Sequence, residues 1–250
     1  MTDISSSHKP VALITGANKG IGFEIARQLG KDHGMIVLLG VRDETRGREA
    51  AAKLTAQGID ARPVRLDVTG SESIAAAARQ IGQDFEGRLD VLVNNAGIAL
   101  DTSAPSQSDL KAIRATYETN VFGVFAVTQA MLPLLKRAPA ARIVNMSSGL
   151  GSLAQNSDPN YDYSKVRLLA YNSSKAALNM QTVLLAAELK EEGTSIKVNA
   201  ADPGYTATDL NDNRGTRTVE QGARIAVRLA TLSADGPTGG FFNDQGRVPW

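Results

Sequence analysis

The chain has 250 residues, of which 42% are hydrophobic, enough apolar material for one full α/β core. Its 27 basic and 26 acidic side chains nearly cancel and leave a net charge of +1. We therefore expect neither a nucleic-acid partner nor a membrane-surface partner. The chain contains no cysteine, which excludes disulfides, thiolate metal sites and a cysteine nucleophile.

The two histidines argue against a zinc site and against a Ser-His-Asp hydrolase. His8 lies in a serine-rich tail and His33 precedes a glycine near the end of a predicted helix. We predict no metal. The first ten residues lack the apolar stretch of a secretory signal, and no run is long enough to span a membrane. We predict a flexible tail over residues 1–9 and a cytoplasmic protein.

Apolar β-branched runs alternate with longer amphipathic stretches, a pattern typical of βαβ units and a parallel sheet. The predicted strands cover residues 11–15, 35–41, 61–66, 89–93, 142–146, 195–200 and 239–242. The predicted helices cover residues 21–31, 46–57, 71–85, 110–135, 171–192 and 219–232. The pattern predicts a single Rossmann domain over residues 1–250, with a doubly wound, seven-stranded parallel sheet flanked by helices on both faces.

Two polar segments, residues 149–170 and 209–218, interrupt this alternation. Each follows the carboxyl end of a predicted strand, which is the edge where open α/β sheets bind ligands. We expect the first to be an insertion beside the site and the second to be a substrate loop, although both could be plain surface loops.

A glycine-rich turn, TGANKGIG at residues 15–22, lies between the first predicted strand and the first helix. A pyrophosphate needs free backbone N–H groups, a helix N-terminus and no side chain that blocks its approach. Gly16, Gly20 and Gly22 meet these needs, so the turn predicts dinucleotide binding.

The spacing of these glycines resembles that of the short-chain dehydrogenase/reductase family. Other motifs follow in the family's order over nearly the whole chain: DV at 67–68, NNAG at 94–97, and PG at 203–204 followed by Thr206. The resemblance implies contacts to the adenine ring at 67–68 and to the nicotinamide side at 203–206. It also implies a catalytic tetrad, which comprises Asn120, Ser148, Tyr171 and Lys175.

The residues around the second strand indicate which dinucleotide is bound. An NAD enzyme places an acid about 20 residues beyond the glycines, but Val41 stands there and Arg42 follows it. Arg42 and Lys19 suit a 2′-phosphate, which favours NADP(H), and Arg46 could add a third cation. Asp43 and Glu44 count against this reading, although they lie beyond the usual position.

Residue chemistry and the resemblance together give a predicted cofactor-binding set. The set comprises Gly16, Asn18, Lys19, Gly20, Ile21, Gly22, Arg42, Asp67, Val68, Asn94, Ala96, Gly97, Tyr171, Lys175, Pro203, Gly204 and Thr206.

The unit Tyr-x-x-x-Lys occurs twice, at Tyr161–Lys165 and at Tyr171–Lys175. Tyrosine has a free pKa of about 10, and a cation one helical turn away lowers it. Spacing from Ser148 favours the first pair, at 13 residues against 23. We choose the second, because an uninterrupted amphipathic helix follows Lys175 and because the turn-rich NSDPN precedes Tyr161.

The resemblance implies a role for each member of the tetrad. Ser148 would polarise the substrate oxygen, with Ser147 as the neighbouring alternative, and Tyr171 would exchange the proton. Lys175 would lower the tyrosine's pKa and hold the nicotinamide ribose. Asn120 would anchor a water that links Lys175 to solvent.

The extra segment before the second tyrosine is similar to that of the monomeric carbonyl reductases of the family, which favours a monomer over a dimer or tetramer. The sequence thus predicts an NADPH-dependent oxidoreductase acting on a small-molecule carbonyl or alcohol. The alternative is a non-catalytic NADP(H)-binding sensor. We expect the substrate pocket to be lined by parts of residues 94–101, 149–163 and 205–217, with room for an apolar or aromatic carbonyl compound.

Overall fold

The computed structural model describes residues 9–250. The predicted flexible tail, apart from Lys9, and His8 lie outside the described residues. No helix among those described has the length and the apolar character needed to cross a bilayer.

Eight strands form one sheet in the order β3-β2-β1-β4-β5-β6-β7-β8. The strands are β1 (Val11–Thr15), β2 (Ile36–Val41), β3 (Ala61–Arg65), β4 (Val91–Asn94), β5 (Arg142–Met146), β6 (Lys197–Ala201), β7 (Gly240–Asn243) and β8 (Gly246–Arg247). The first seven are parallel, which confirms the predicted Rossmann sheet. The eighth is a two-residue antiparallel strand on β7 that the sequence analysis did not predict.

The helices cover both faces of the sheet. They are α1 (Gly20–His33), α2 (Glu44–Thr55), α3 (Ser71–Asp84), α4 (Leu110–Tyr117), α5 (Val124–Leu135), α6 (Leu153–Ser157), α7 (Leu169–Glu191) and α8 (Val219–Ala230). One core holds α1, α2 and α8 against the sheet, and the other holds α3, α5 and α7. Strand β1 shows how both are supplied, because Ala12 and Ile14 enter the first core while Val11 and Leu13 enter the second.

The helix predicted over residues 110–135 is divided. A π-helical segment, Glu118–Gly123, separates α4 from α5. Gly123 is the last residue of this segment. A Cβ there would lie 2.7 Å from the backbone oxygen of Val68. The glycine thus lets the helix approach the loop after β3, and the π turn directs Asn120 into the interior.

The strand order reverses direction between β1 and β4, which is the switch point of the sheet. The loops after β1, β4, β5 and β6 all leave the sheet at the same edge, because parallel strands end on one side. This edge carries the residues that the sequence analysis selected.

Candidate active site

The turn after β1 packs closely against the loop after β4, which only glycine allows at two of its positions. Gly16 has a φ of +65°, and a Cβ there would lie 3.1 Å from Ala96 Cα. A Cβ at Gly22 would overlap the Asn95 amide and lie 2.7 Å from the Gly16 oxygen. Within the described chain, the N-terminus of α1 has no side-chain cap and no acid in its first turn. Its N–H groups can therefore serve an anion.

Asn95 holds this turn to the end of β4. Its side-chain amide donates to the Thr15 oxygen at 2.9 Å and to the Gly16 oxygen at 3.3 Å. The Thr15 hydroxyl accepts from the backbone N–H groups of Asn95 and Ala96, both at 2.9 Å. The sequence analysis assigned Asn94 instead, and only the NNAG motif as a whole pointed to Asn95.

Lys19 and Arg42 both lie exposed at the rim of this edge. Lys19 forms an ion pair with Asp209, the first residue of the short helix in the predicted substrate loop. Hydrogen bonds from Thr69 hold the pKa of the Asp67 carboxyl below its usual value, and the charge of Arg42 adds to this effect. The two predicted cations thus stand at the ends of β1 and β2, with Asp67 beside Arg42.

The two acids that counted against a 2′-phosphate are already engaged. Asp43 is the N-cap of α2 and accepts from the N–H groups of Thr45 at 3.0 Å and Arg46 at 3.1 Å. Glu44 lies 3.5 Å from Arg48 and 3.7 Å from Arg65. Neither carboxylate is therefore committed to a ribose hydroxyl.

Ser148, Tyr171 and Lys175 meet behind the glycine turn. Tyr171 and Lys175 lie one turn apart on α7, and the Lys175 Nζ is 5.5 Å from the Tyr171 ring centroid. Ser148 follows the end of β5 and lies close enough to the Tyr171 hydroxyl to lower its pKa. The Lys175 Nζ donates to the Met146 backbone oxygen at 2.7 Å, so the strand end also fixes the lysine.

Burial shifts the pKa values of both Tyr171 and Lys175. Burial raises the pKa of Tyr171 to about 12, against a lowering by the hydrogen bond with Ser148. Burial lowers the pKa of Lys175 to about 8. Burial is the largest cause of the raised pKa of Tyr171, and the negative charge of Asp202 adds to it; the lowering by Lys175 that the resemblance implied stays a prediction.

Asn120 stands next to the lysine and directs its side-chain hydrogen bonds to other groups of the described structure. Its amide donates to the Ile98 oxygen at 2.8 Å and to the Ser174 hydroxyl at 3.0 Å, and its Oδ1 accepts from the Ile98 N–H at 2.9 Å. A Cβ on Gly97 would lie 3.3 Å from that Oδ1 and 3.5 Å from the Lys175 Nζ. Gly97 thus leaves a small gap that both polar groups border.

Two residues weighed in the sequence analysis point away from this gap. The Ser147 hydroxyl is buried and donates to Asn179 at 2.6 Å, so Ser148 is the serine that reaches Tyr171. The Asn94 side chain is also buried and donates to Thr128 at 2.9 Å and Asn145 at 2.8 Å. Only the backbone of Asn94 faces the sheet edge.

The start of α7 is anchored by a residue that had no predicted role of its own. The Asp101 carboxylate accepts from the N–H groups of Ala170 at 2.7 Å and Tyr171 at 3.0 Å. It acts as a cap supplied from the loop after β4 and places a negative charge at the positive end of the helix. A contact this distant in sequence leaves no local signal.

The segment between α6 and α7 forms an aromatic wall. The rings of Tyr161 and Tyr163 lie 5.6 Å apart, and those of Tyr163 and Tyr205 lie 5.9 Å apart. The insertion thereby touches the loop after β6 across the opening of the site. Lys165 points into solvent from a turn, so Tyr161 and Lys165 share no helical face.

The loop after β6 folds back on itself. The Thr206 hydroxyl is buried and donates to the Pro203 oxygen at 3.1 Å and the Gly204 oxygen at 3.3 Å. Arg217 covers Gly204, where a Cβ would lie 2.8 Å from the arginine Cδ. Thr208 reaches the glycine turn, since a Cβ on Gly20 would lie 3.7 Å from its methyl group.

Comparison with known proteins identifies the family. The profile described as short chain dehydrogenase matches residues 10–218. Among curated relatives, carbonyl reductase (NADPH) 1 of Mus musculus is 36% identical over 280 aligned residues, covering 98% of this chain and 100% of the relative. Short-chain dehydrogenase anuI of Penicillium roqueforti is 40% identical over 228 residues, covering 89% of each.

Solved structures agree with this assignment. The NADPH-bound carbonyl reductase from chicken fatty liver superimposes with a TM-score of 0.84 at 32% identity, covering 97% of this chain and 100% of that one. Salutaridine reductase from Papaver somniferum gives a TM-score of 0.80 at 30% identity, with coverages of 94% and 100%.

Proposed function

The chain belongs to the short-chain dehydrogenase family, and we propose that it is an NADP(H)-dependent oxidoreductase that interconverts a carbonyl compound and an alcohol. One observation carries the proposal: Ser148 lies close enough to the Tyr171 hydroxyl to lower its pKa, while the Lys175 Nζ stands 5.5 Å from the centroid of the tyrosine ring. This places a proton donor, a polarising hydroxyl and a cation together behind a dinucleotide turn. That all four tetrad residues are present argues for catalysis and against a sensor.

The residues at the sheet edge fit NADP(H). The N–H groups at the uncapped N-terminus of α1 would hold the pyrophosphate, and Gly16 and Gly22 let the turn pack closely against Asn95 and Ala96. Lys19 and Arg42 would hold the 2′-phosphate, and the engagement of Asp43 as a helix cap supports this choice over NAD. The other residues of the predicted cofactor-binding set lie in the glycine turn and the first turn of α1, at the end of β4 and in the loop after it, in the loops after β3 and β6, and on α7. We propose that they complete the cofactor site.

When bound, the cofactor supplies the hydride, and the chain's own residues handle the oxygen and the proton. Ser148 Oγ accepts from the Leu150 N–H at 3.2 Å, which leaves its hydrogen free to donate to a substrate oxygen. Tyr171 delivers its proton to the same oxygen as negative charge develops there. Lys175 balances the tyrosinate that results, and Asn120 borders the gap through which a water could return the proton.

The substrate that we propose is an apolar or aromatic carbonyl compound. The wall of Tyr161, Tyr163 and Tyr205 supplies ring faces beside Ser148. The names of the mouse and chicken relatives, both carbonyl reductases, support the same class. The monomeric state and the cytoplasmic location stay predictions.

A turnover assay tests the class. The loss of NADPH absorbance is followed with a panel of aldehydes, ketones and α-dicarbonyl compounds, with NADH in parallel. We expect turnover of at least one panel member, with NADPH preferred. Tight NADPH binding without turnover of any carbonyl, or of any alcohol with NADP+, would contradict the proposed activity.

Two charge-removing variants test the cofactor choice. Lys19→Ala and Arg42→Ala should each raise the KM for NADPH by about tenfold, as loss of a charge-assisted bond predicts, and leave the KM for NADH nearly unchanged. Lys53→Ala is the matched control, because this exposed lysine lies in the last turn of α2. An equal loss with both cofactors would argue against a 2′-phosphate site.

A further inference from the structure

A carboxylate stands behind the catalytic group without a role in the proposed mechanism. Asp202 directly follows β6 and precedes Pro203-Gly204. It accepts from the Gly204 N–H at 3.0 Å, from the Gly149 N–H and from the Asn243 side chain. One side chain therefore joins the loops that follow β5 and β6 to the end of β7.

This carboxylate lies close to the reacting group. Gly149 directly follows Ser148, and a Cβ on Gly149 would lie 3.3 Å from Asp202 Oδ2. The negative charge of Asp202 acts on both Tyr171 and Tyr161 and opposes the ionisation of each. Asp202 thus contacts the loop that positions Ser148, and its charge also opposes the ionisation of Tyr171.

The cation that faces Asp202 is shared. Arg217 is close enough to act on the Asp202 carboxyl, but its Nη2 forms an ion pair with Asp244 and also donates to the Gln221 oxygen at 2.9 Å. One guanidinium therefore serves two carboxylates, and the cluster keeps an excess of negative charge.

Titratable and charged groups face this cluster from every element that packs around it. They are Tyr171 and Lys175 of α7, Tyr161, Asp162 and Tyr163 of the segment before it, Asp101 of the loop after β4, Arg217 of the loop before α8, and Asp244 of the β7–β8 turn. Of the two cations, Lys175 is held by the Met146 oxygen and Arg217 by Asp244.

A neutral side chain such as serine or asparagine could accept from the same backbone donors at a lower cost of burial. Burial raises the pKa of Asp202, although four neighbouring groups favour its charged form. Burying a carboxylate is expensive, and perturbed carboxylates concentrate at functional sites. The negative charge of Asp202 therefore indicates a function beyond accepting these hydrogen bonds.

We propose that Asp202 is a positioning residue of the hydride-transfer site, whose carboxylate ties the Ser148 loop to the Gly204 loop and places a negative charge near Tyr171. The proposal rests on the proposed function, since it deepens the role of Tyr171. It predicts that Asp202 sets the pH range of the reaction as well as its rate.

The test follows the pH dependence of carbonyl reduction and of alcohol oxidation for the wild type and Asp202→Asn. Removing the negative charge makes ionisation of Tyr171 easier. The pH at which the rate is half-maximal should therefore fall by about one pH unit in both carbonyl reduction and alcohol oxidation. We also expect kcat/KM to fall about fivefold, because an amide replaces a charged acceptor of two loop N–H groups. Thermal unfolding of the variant reports whether it is folded, and Asp202→Ser takes its place with the same expectation if it is not.

Asp244→Asn is the matched control, because it removes a carboxylate charge from the same arginine and Asp244 is not among the charges that act on Tyr171 in the described structure. For this control variant, the pH at which the rate is half-maximal should stay at the wild-type value. A folded Asp202 variant with lower activity but an unchanged midpoint, or an equal shift in Asp244→Asn, would overturn the proposal. An inactive wild type would instead overturn the proposed function, so the two failures are distinguishable.

Discussion

Two segments of this chain carry the same Tyr-x-x-x-Lys unit and differ in almost everything else. Tyr161–Lys165 lies in turns between α6 and α7, with its lysine in solvent. Tyr171–Lys175 lies on α7, with the lysine 4% exposed and fixed to the end of β5. Of these two tyrosines, only Tyr171 has its pKa lowered by Ser148.

The comparison teaches that this motif acts through the backbone that carries it. On a helix, a four-residue spacing puts both side chains on one face, whereas in a turn it does not. The first segment contributes in another way, because Tyr161 and Tyr163 form a wall with Tyr205. We therefore expect the first segment to contact the substrate and the second to carry the chemistry.

After the tyrosines themselves, the largest expected difference between the two segments lies in their lysines. Lys175→Met should lower kcat/KM by about 10²-fold or more, because it removes the cation beside the general acid. Lys165→Met should stay near the wild type, because this side chain lies in solvent. Steady-state reduction of the best panel substrate measures both, and equal losses would break the comparison.

The stability of the protein at alkaline pH sharpens the contrast. Because burial lowers the pKa of Lys175 from 10.5 to about 8, the unfolded chain binds a proton between these values that the folded chain does not. The penalty for burying Lys175 is full below pH 8 and is relieved as the pH rises to 10.5. The free energy of unfolding of the wild type should therefore rise by roughly 2–3 kcal/mol relative to that of Lys175→Met over this pH range.

Urea unfolding at a series of pH values measures this gain. Lys165→Met serves as the control and should follow the wild type throughout. A constant difference between the wild type and Lys175→Met from pH 7 to 10.5 would show that Lys175 does not lose its proton in the folded protein.

The smallest expected effect concerns the caps of the two segments. Asp101→Ala removes the acceptor for the first N–H groups of α7 and should lower the free energy of unfolding by about 1 kcal/mol. Asp158→Ala removes an exposed acceptor for the Asn160 N–H, at 2.8 Å, and should change it far less. Thermal unfolding compares the two, and a larger loss for Asp158→Ala would contradict the anchoring role of Asp101.

The sequence predicted most of the fold because strands and amphipathic helices leave local patterns. All seven parallel strands were found, with bounds differing by at most two residues. The π turn at Asn120 and the strand β8 were missed, since neither has a hydrophobic period of its own. The need for Gly123, where a Cβ would lie 2.7 Å from the Val68 backbone oxygen, also has no local signal.

The site was predictable to the extent that motifs carry it. The structure brings Ser148, Tyr171 and Lys175 together as the resemblance implied. Asp101 and Asp202 escaped notice because their partners lie 69 and 53 residues away in the chain. The raised pKa of Tyr171 was also unforeseen, because burial depends on packing and not on spacing.

The most direct test of the account compares Tyr171→Phe with Tyr161→Phe in single-turnover reduction at saturating NADPH. The phenylalanine at 171 keeps the ring and removes the proton that the substrate oxygen receives. We predict that this variant loses about 10³-fold in rate while binding NADPH nearly as well, and that Tyr161→Phe changes mainly the KM for the substrate. A fully active Tyr171→Phe beside an inactive Tyr161→Phe would contradict the account.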